Sequence, residues 1–199
     1  MTIVCFDLEG TLAPELWIEI ANHFDIPELK RTTRDEPDEN ALMKMRLSAL
    51  ESHNIRYSDI YRLIEQTDPF DGARELLDSL APDFQPVIVT SSYYQFIPPI
   101  IEKLGNPFAY ANFLDIETDH IVGYRWRIAN HKRACVEHFK AQNFEVIAIG
   151  DSYNDIPMFE AAGNGILFRA PEAIKIEYPQ FPSIDDFDAL SKALLSHKA

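Results

Sequence analysis

Four short apolar runs, each long enough for one buried strand, constrain this chain more than any other feature. Ile3-Val4-Cys5-Phe6 stops at Asp7, and Pro86-Val87-Ile88-Val89-Thr90 leads into Ser91 and Ser92. Val146-Ile147-Ala148-Ile149-Gly150 leads into Asp151-Ser152-Tyr153-Asn154-Asp155, and Gly165-Ile166-Leu167-Phe168 is the fourth. Apolar runs of this length without polar alternation suit strands buried on both faces, as in a parallel sheet. Segments of helical periodicity lie between them: Gly72 to Leu80, Phe96 to Leu104, Lys132 to Ala141 and Asp155 to Ala161. The alternation predicts an α/β fold, an open parallel sheet flanked by helices, with ligands bound at the carboxyl ends of the strands.

Residues 13–68 break the alternation and offer only helical patterns and a charged connector. Pro14 is placed to open a helix in which Leu16, Trp17, Ile20, Ala21 and Phe24 recur near the helical period. The stretch Lys30 to Asn40 is crowded with charge, contains Pro37 and reads as a loop. Helices are expected from Ala41 to His53 and from Ser58 to Gln66, with Ser58 as N-cap. The expected organisation is an α/β core made of residues 1–12 and 69–199, with an inserted small helical cap at 13–68. Asn112 to Ile128 alternates as a β-hairpin turning near Asp119-His120, and Ser183-Ile-Asp-Asp reads as the start of a last helix ending near Ser196.

Composition removes several classes of function. Eighteen Lys and Arg against 32 Asp and Glu give a formal charge of −14, which repels nucleic acid and anionic membranes. The apolar run at the N-terminus is too short for a secretory signal or a membrane span, so the chain is expected to be cytoplasmic. Cys5 and Cys135 form no CxxC pair, and the six histidines show no zinc-ligand spacing. A GxxxxGK[ST] loop and a GxGxxG turn are both absent, which leaves nucleotide kinases and dinucleotide-dependent oxidoreductases without footing.

Parallel strands share one carboxyl edge, so Asp7-Leu8-Glu9-Gly10-Thr11, Thr90-Ser91-Ser92 and the Gly150-to-Asp155 segment are expected to meet in one crevice. Carboxylates at that density call for a hard cation such as Mg²⁺ among them. Asp7-x-Glu9-Gly10-Thr11, Thr90, Lys132 and Gly150-Asp151-Ser152-x-Asn154-Asp155, in this order, resemble the four motifs of the haloacid dehalogenase superfamily with its Rossmannoid core. Within it the chain is similar to phosphoserine phosphatases, above all to the bifunctional phosphoserine phosphatase/homoserine phosphotransferase branch. The similarity extends to Gly165-Ile-Leu-Phe, Ala170-Pro-Glu and Phe181-Pro.

That resemblance implies Asp7 as nucleophile and Glu9 as the acid and base, where most of the superfamily carries Asp. It implies that Thr90 and Lys132 bind the transferring phosphoryl group, with Ser91 and the amides of Leu8 and Ser91 beside it. Asp7, the Glu9 carbonyl and Asp151 would hold Mg²⁺, with Asn154 and Asp155 supporting them. In the cap, Glu15 would meet the ammonium of phosphoserine and Arg46 its carboxylate, with Arg34 a weaker candidate for the same pocket. Homoserine is the implied alternative acceptor. A phosphatase for another small phosphomonoester, a dehalogenase and a non-catalytic metabolite-binding module on the same fold remain the rival readings. Glu9 and Asp151 count against the dehalogenase.

Overall fold

The computed structural model describes residues 1–32, 35–36 and 38–196. Arg34, the connector candidate for the pocket, lies outside the described residues. The strands are β1 (Thr2–Phe6), β2 (Phe84–Tyr93), β3 (Phe108–Glu117), β4 (His120–Arg125), β5 (Glu145–Gly150), β6 (Gly165–Phe168) and β7 (Ser183–Ile184). They form one sheet in the order β4-β3-β2-β1-β5-β6-β7. Every pairing is parallel except β3 with β4, the expected hairpin. The described helices are α1 (Leu16–Phe24), α2 (Glu39–Ser52), α3 (Tyr57–Gln66), α4 (Ala73–Leu80), α5 (Pro98–Lys103), α6 (His131–Ala141), α7 (Ile156–Ala162), α8 (Glu172–Glu177) and α9 (Phe187–Ser196).

Successive side chains of a strand point to opposite faces, and β1 divides its residues that way. Val4 and Phe6 join a core with Leu76 and Leu77 of α4, Ile100 of α5 and Leu190 of α9. Ile3 and Cys5 join a second core with Val136 of α6, Phe159 of α7 and Ile174 of α8. Burial on both faces explains why these strands read as continuous apolar runs. The first core also takes in Leu16, Trp17 and Ile20 of α1 and Ile60 and Ile64 of α3. The inserted helices are therefore packed onto the sheet rather than held only by their ends.

The β3–β4 hairpin braces the insertion at two points. Asn40 Oδ1, in the first turn of α2, accepts hydrogen bonds from Trp126 Nε1 at 2.9 Å and Tyr124 Oη at 3.0 Å. Asp119, in the hairpin turn, accepts from Ser58 N at 2.9 Å and Ser58 Oγ at 2.7 Å.

Three local expectations need correction. Helix α3 starts at Tyr57 with Arg56 in the N-cap position, so Ser58 falls inside the first turn and donates to Asp119 instead of capping. Ser183–Ile184 is an edge strand paired with β6, and the last helix begins at Phe187 with Asp186 accepting from Ala189 N at 2.8 Å. The connector is not wholly loop: Pro27–Lys30 forms a 3₁₀ turn, and α2 begins at Glu39 behind the N-cap Asp38.

Candidate active site

Register assembles the site. Phe6 lies opposite Ile88 on one side and Ile149 on the other, so Asp7 and Asp151, just past the ends of β1 and β5, lie along one edge with Thr90. Thr90 sits within β2 beyond its pairing with β1, because that strand runs on to Tyr93 rather than ending at Thr90. Asp7 N is still tied to Ile149 O at 2.9 Å, which fixes where its side chain emerges. Beyond it the backbone turns at Gly10, which has φ of +83°, and a Cβ there would stand 2.6 Å from Asp151 Oδ1. Glycine alone meets both demands, a left-handed backbone and close approach of the Asp151 carboxylate.

Lys132, in the first turn of α6, enters this edge fully buried among acceptors. Its Nζ lies 2.9 Å from Asp7 Oδ1, 2.6 Å from Asp155 Oδ1 and 2.9 Å from Asn154 Oδ1. Burial pulls the Lys132 pKa down, but the charges of Asp155 and Asp7 outweigh it and hold the ammonium well above the usual lysine range. Burial pushes the Asp7 carboxyl up, Lys132 opposes that, and Asp155 and Asp151 add to it as like charges.

Asp155 is engaged through both carboxylate oxygens. Beyond Lys132, its Oδ2 accepts from Asp151 N at 3.2 Å, Ser152 N at 3.0 Å and Ser152 Oγ at 3.1 Å. A Cβ on Gly150 would collide with this carboxylate. The glycine that ends β5 thus lets Asp155 fold back under the loop and orient both Lys132 and Asp151.

Ligand atoms of Asp7, Asp151 and Asp155 all lie within 4.8 Å of one another, and all three residues are buried. One ammonium does not balance three carboxylates, and oxygen donors at this spacing suit a hard dication such as Mg²⁺. The donor set therefore fits a metal, with Asp155 the member already committed to other partners. The Glu9 side chain stands outside the triad.

Glu9 Oε2 accepts from Leu16 N at 3.0 Å, so it occupies the amino end of α1 in place of a conventional cap. Pro14 precedes that end by two residues and does not open the helix itself. Burial first, then the nearby Glu15, pushes the Glu9 carboxyl up to about 7, although the Ser92 hydroxyl beside it, the bond from Leu16 N and the charge of Arg46 pull it back.

Asp7, Glu9, Glu15, Arg46, Thr90, Ser91 and Asn154 line one cavity of about 90 Å³, and Lys132, Asp151 and Asp155 stand behind it. The guanidinium of Arg46 lies 4.7 Å from the centre of the Trp17 ring, and its Nη2 donates to Arg31 O at 2.9 Å. Its Nε is buried without a hydrogen-bond partner among the described residues. An unmet donor on so small a cavity marks a place where a polar ligand completes the bonding.

Several residues of the site escaped the sequence. His131 Nε2 lies 3.0 Å from Thr90 O, and burial first, then Lys132, lowers its pKa to about 4. The neutral ring donates to that carbonyl and anchors the Thr90 segment of β2 to α6. Ser92, Trp17, Glu39 and Trp126 also line the cavity. Adjacency to Lys132 could have suggested His131, and the Thr90-Ser91-Ser92 run could have suggested Ser92; the others carry no local signal.

Fold and site together define an α/β protein whose chemistry is concentrated in carboxylates at strand ends. The chain belongs to the haloacid dehalogenase-like hydrolases, whose family model matches residues 1–163. It is 43% identical over 196 residues to the phosphoserine phosphatase ThrH of Pseudomonas aeruginosa, covering 98% of this chain and 96% of that protein. A phosphoserine phosphatase of Pseudomonas syringae pv. tomato is 42% identical over 97% of this chain and 82% of its own length. A solved structure of a phospho-aspartyl intermediate analogue of phosphoserine phosphatase superposes with a TM-score of 0.76 at 25% identity, covering 88% of this chain and 90% of that one.

The buried ion cluster generates a stability prediction. Lys132→Met keeps the length of the side chain but leaves Asp7 and Asp155 without their counter-charge, and costs about 3–5 kcal/mol of unfolding free energy in urea at neutral pH. A loss below about 1 kcal/mol, the range of an exposed pair, contradicts this account of the cluster.

Proposed function

We propose that this chain is a Mg²⁺-dependent phosphoserine phosphatase that works through an aspartyl phosphate on Asp7, and that it also passes the phosphoryl group to homoserine. The observation that carries the reading is a pair of carboxyls on one cavity with different partners, a buried ammonium for one and a helix-end amide for the other. Asp7 is held against Lys132, while burial pushes the Glu9 carboxyl, two residues on, up to about 7. Such a pair divides into a nucleophile and a proton carrier. The relatives at 42 and 43% identity support phosphoserine as the substrate.

In this mechanism Asp7 attacks phosphorus, and Glu9 in its acid form gives its proton to the departing serine oxygen. Glu9, now a carboxylate, takes a proton from the incoming water or homoserine hydroxyl, which removes the phosphoryl group from Asp7. The Thr90 hydroxyl and the Lys132 ammonium meet the phosphoryl oxygens, with the amides of Leu8 and Ser91 adding hydrogen bonds. Asp7, the Glu9 carbonyl and Asp151 would hold Mg²⁺, with Asn154 and Asp155 keeping Lys132 and Asp151 oriented. When bound, Mg²⁺ supplies positive charge against the phosphoryl oxygens and the carboxylates around them.

Residues 13–68 act as a cap that reads the amino-acid end, Glu15 taking the ammonium and Arg46 the carboxylate. The unpartnered Nε of Arg46 supports that assignment. A free amino-acid phosphate is a cytoplasmic metabolite, and two unpaired cysteines suit that compartment. No helix among the described residues is long and apolar enough to cross a membrane.

Phosphate release from phosphoserine with Mg²⁺, run with and without homoserine while phosphohomoserine is followed by mass spectrometry, tests the reading. Release that homoserine diverts into phosphohomoserine is expected. Release without transfer removes the homoserine step, and absence of both removes phosphoserine as the substrate.

The position of Glu9 also sets a pH dependence. Serine release in a single turnover needs the acid form, so its rate falls as pH rises through about 7. Removal of the phosphoryl group from Asp7 needs the carboxylate and rises over the same interval. Stopped-flow measurement of the two steps checks this, and a serine-release step indifferent to pH from 5.5 to 8.5, roughly the span over which such a group titrates, rules out Glu9 as the acid.

A further inference from the structure

Glu39 is the unexplained carboxylate of this cavity. It begins α2 and lines both the cavity above Asp7 and an outer recess against α6, so it stands where the two meet. An acidic residue in the first turn of a helix ordinarily serves the helix dipole. Here the exposed amides are already served by Asp38, whose Oδ1 accepts from Asn40 N at 2.9 Å and Ala41 N at 3.3 Å. Glu39 makes no hydrogen bond or ion pair among the described residues. It is nevertheless half-buried and within electrostatic reach of Lys132 and Arg46.

A half-buried carboxylate on the wall of a ligand cavity, with no partner among the described residues, is placed to take a cation from the ligand. Arg46 Nε, buried and unpartnered among the described residues, serves a ligand's oxygens and offers nothing to its positive charge. Trp126 forms a wall of the same cavity, and its indole Nε1 is taken by Asn40 Oδ1 at 2.9 Å. That bond fixes the residue next to Glu39 and with it the start of α2.

We propose that Glu39 is a specificity-determining residue, a second carboxylate that grips the protonated amine of the ligand at the mouth of the cavity, so that the site selects amine-bearing phosphomonoesters over amine-free ones. The proposal rests on the phosphomonoester reading above and deepens it. It adds a group from α2 to the ammonium contact assigned there to Glu15. The phosphoryl end reaches Asp7 while the ammonium stays at the mouth against Glu39.

The test is calorimetric binding, with Mg²⁺ present, of two ligands that cannot be turned over: the phosphonate analogue of phosphoserine and the same molecule without its amine. Glu39→Gln preserves size and helix start while removing the charge. It is expected to weaken the amine-bearing ligand at least tenfold and leave the amine-free one within twofold, with Glu39→Asp recovering part of the loss. Equal weakening of both ligands means a structural role and overturns the proposal. So does an unchanged affinity for the amine-bearing ligand, or failure of the unsubstituted protein to prefer it. Failure of the phosphatase reading looks different: the amine-bearing phosphonate binds and responds to Glu39→Gln, yet no phosphate is released from phosphoserine.

Discussion

The ion cluster of Lys132 with Asp7 and Asp155 is the interaction on which the rest of the site depends. Taking these groups out of water is costly, and only short contacts among them offset it. Lys132 sits 2.9 Å from Asp7 and 2.6 Å from Asp155 and is almost wholly buried, so it cannot trade protein partners for solvent. Three loops from three strand ends are tied together as a result: the turn after β1, the start of α6 and the Asp151-to-Asp155 loop after β5. The same contact that neutralises Asp7 in the resting protein places an ammonium beside the atom that would attack phosphorus. Stability and chemistry thus draw on one geometry.

Glycine makes that geometry possible at two points. Gly10 and Gly150 each leave the volume that an aspartate carboxylate fills, Asp151 over the first and Asp155 over the second. The β3–β4 hairpin makes a comparable contribution at longer range. It holds Asn40 at the start of α2 and Ser58 at the start of α3, and so brackets the helix that carries Glu39 and Arg46.

The sheet was legible because both faces of its strands are buried. Ile3 to Phe6 and Gly165 to Phe168 could not have been anything exposed, and polar residues at their ends marked where the sheet edge lies. The acid cluster was legible for the same reason, since parallel strands bring Asp7 and Asp151 together whatever lies between them in sequence. The helical insertion was legible in outline only. Ser58 misled because a serine before a helical run suits an N-cap, while the acceptor that serves its amide, Asp119, comes from a hairpin turn sixty-one positions away. Glu39 and Trp126 left no local trace either: one looks like an ordinary first-turn acid, the other like one aromatic of an edge strand's extension. Their roles arise from where the insertion docks, which no periodicity encodes.

The central claim is that Asp7, and no other carboxylate of the cluster, carries the phosphoryl group. Rapid acid quenching of the protein during turnover of phosphoserine, followed by mass analysis of its peptides, addresses it directly. The account predicts the mass of one phosphoryl group on the peptide containing Asp7, accumulating and decaying within the turnover time. Steady release of phosphate with that peptide unmodified at every time point, or the label found on Asp151 or Asp155, contradicts it.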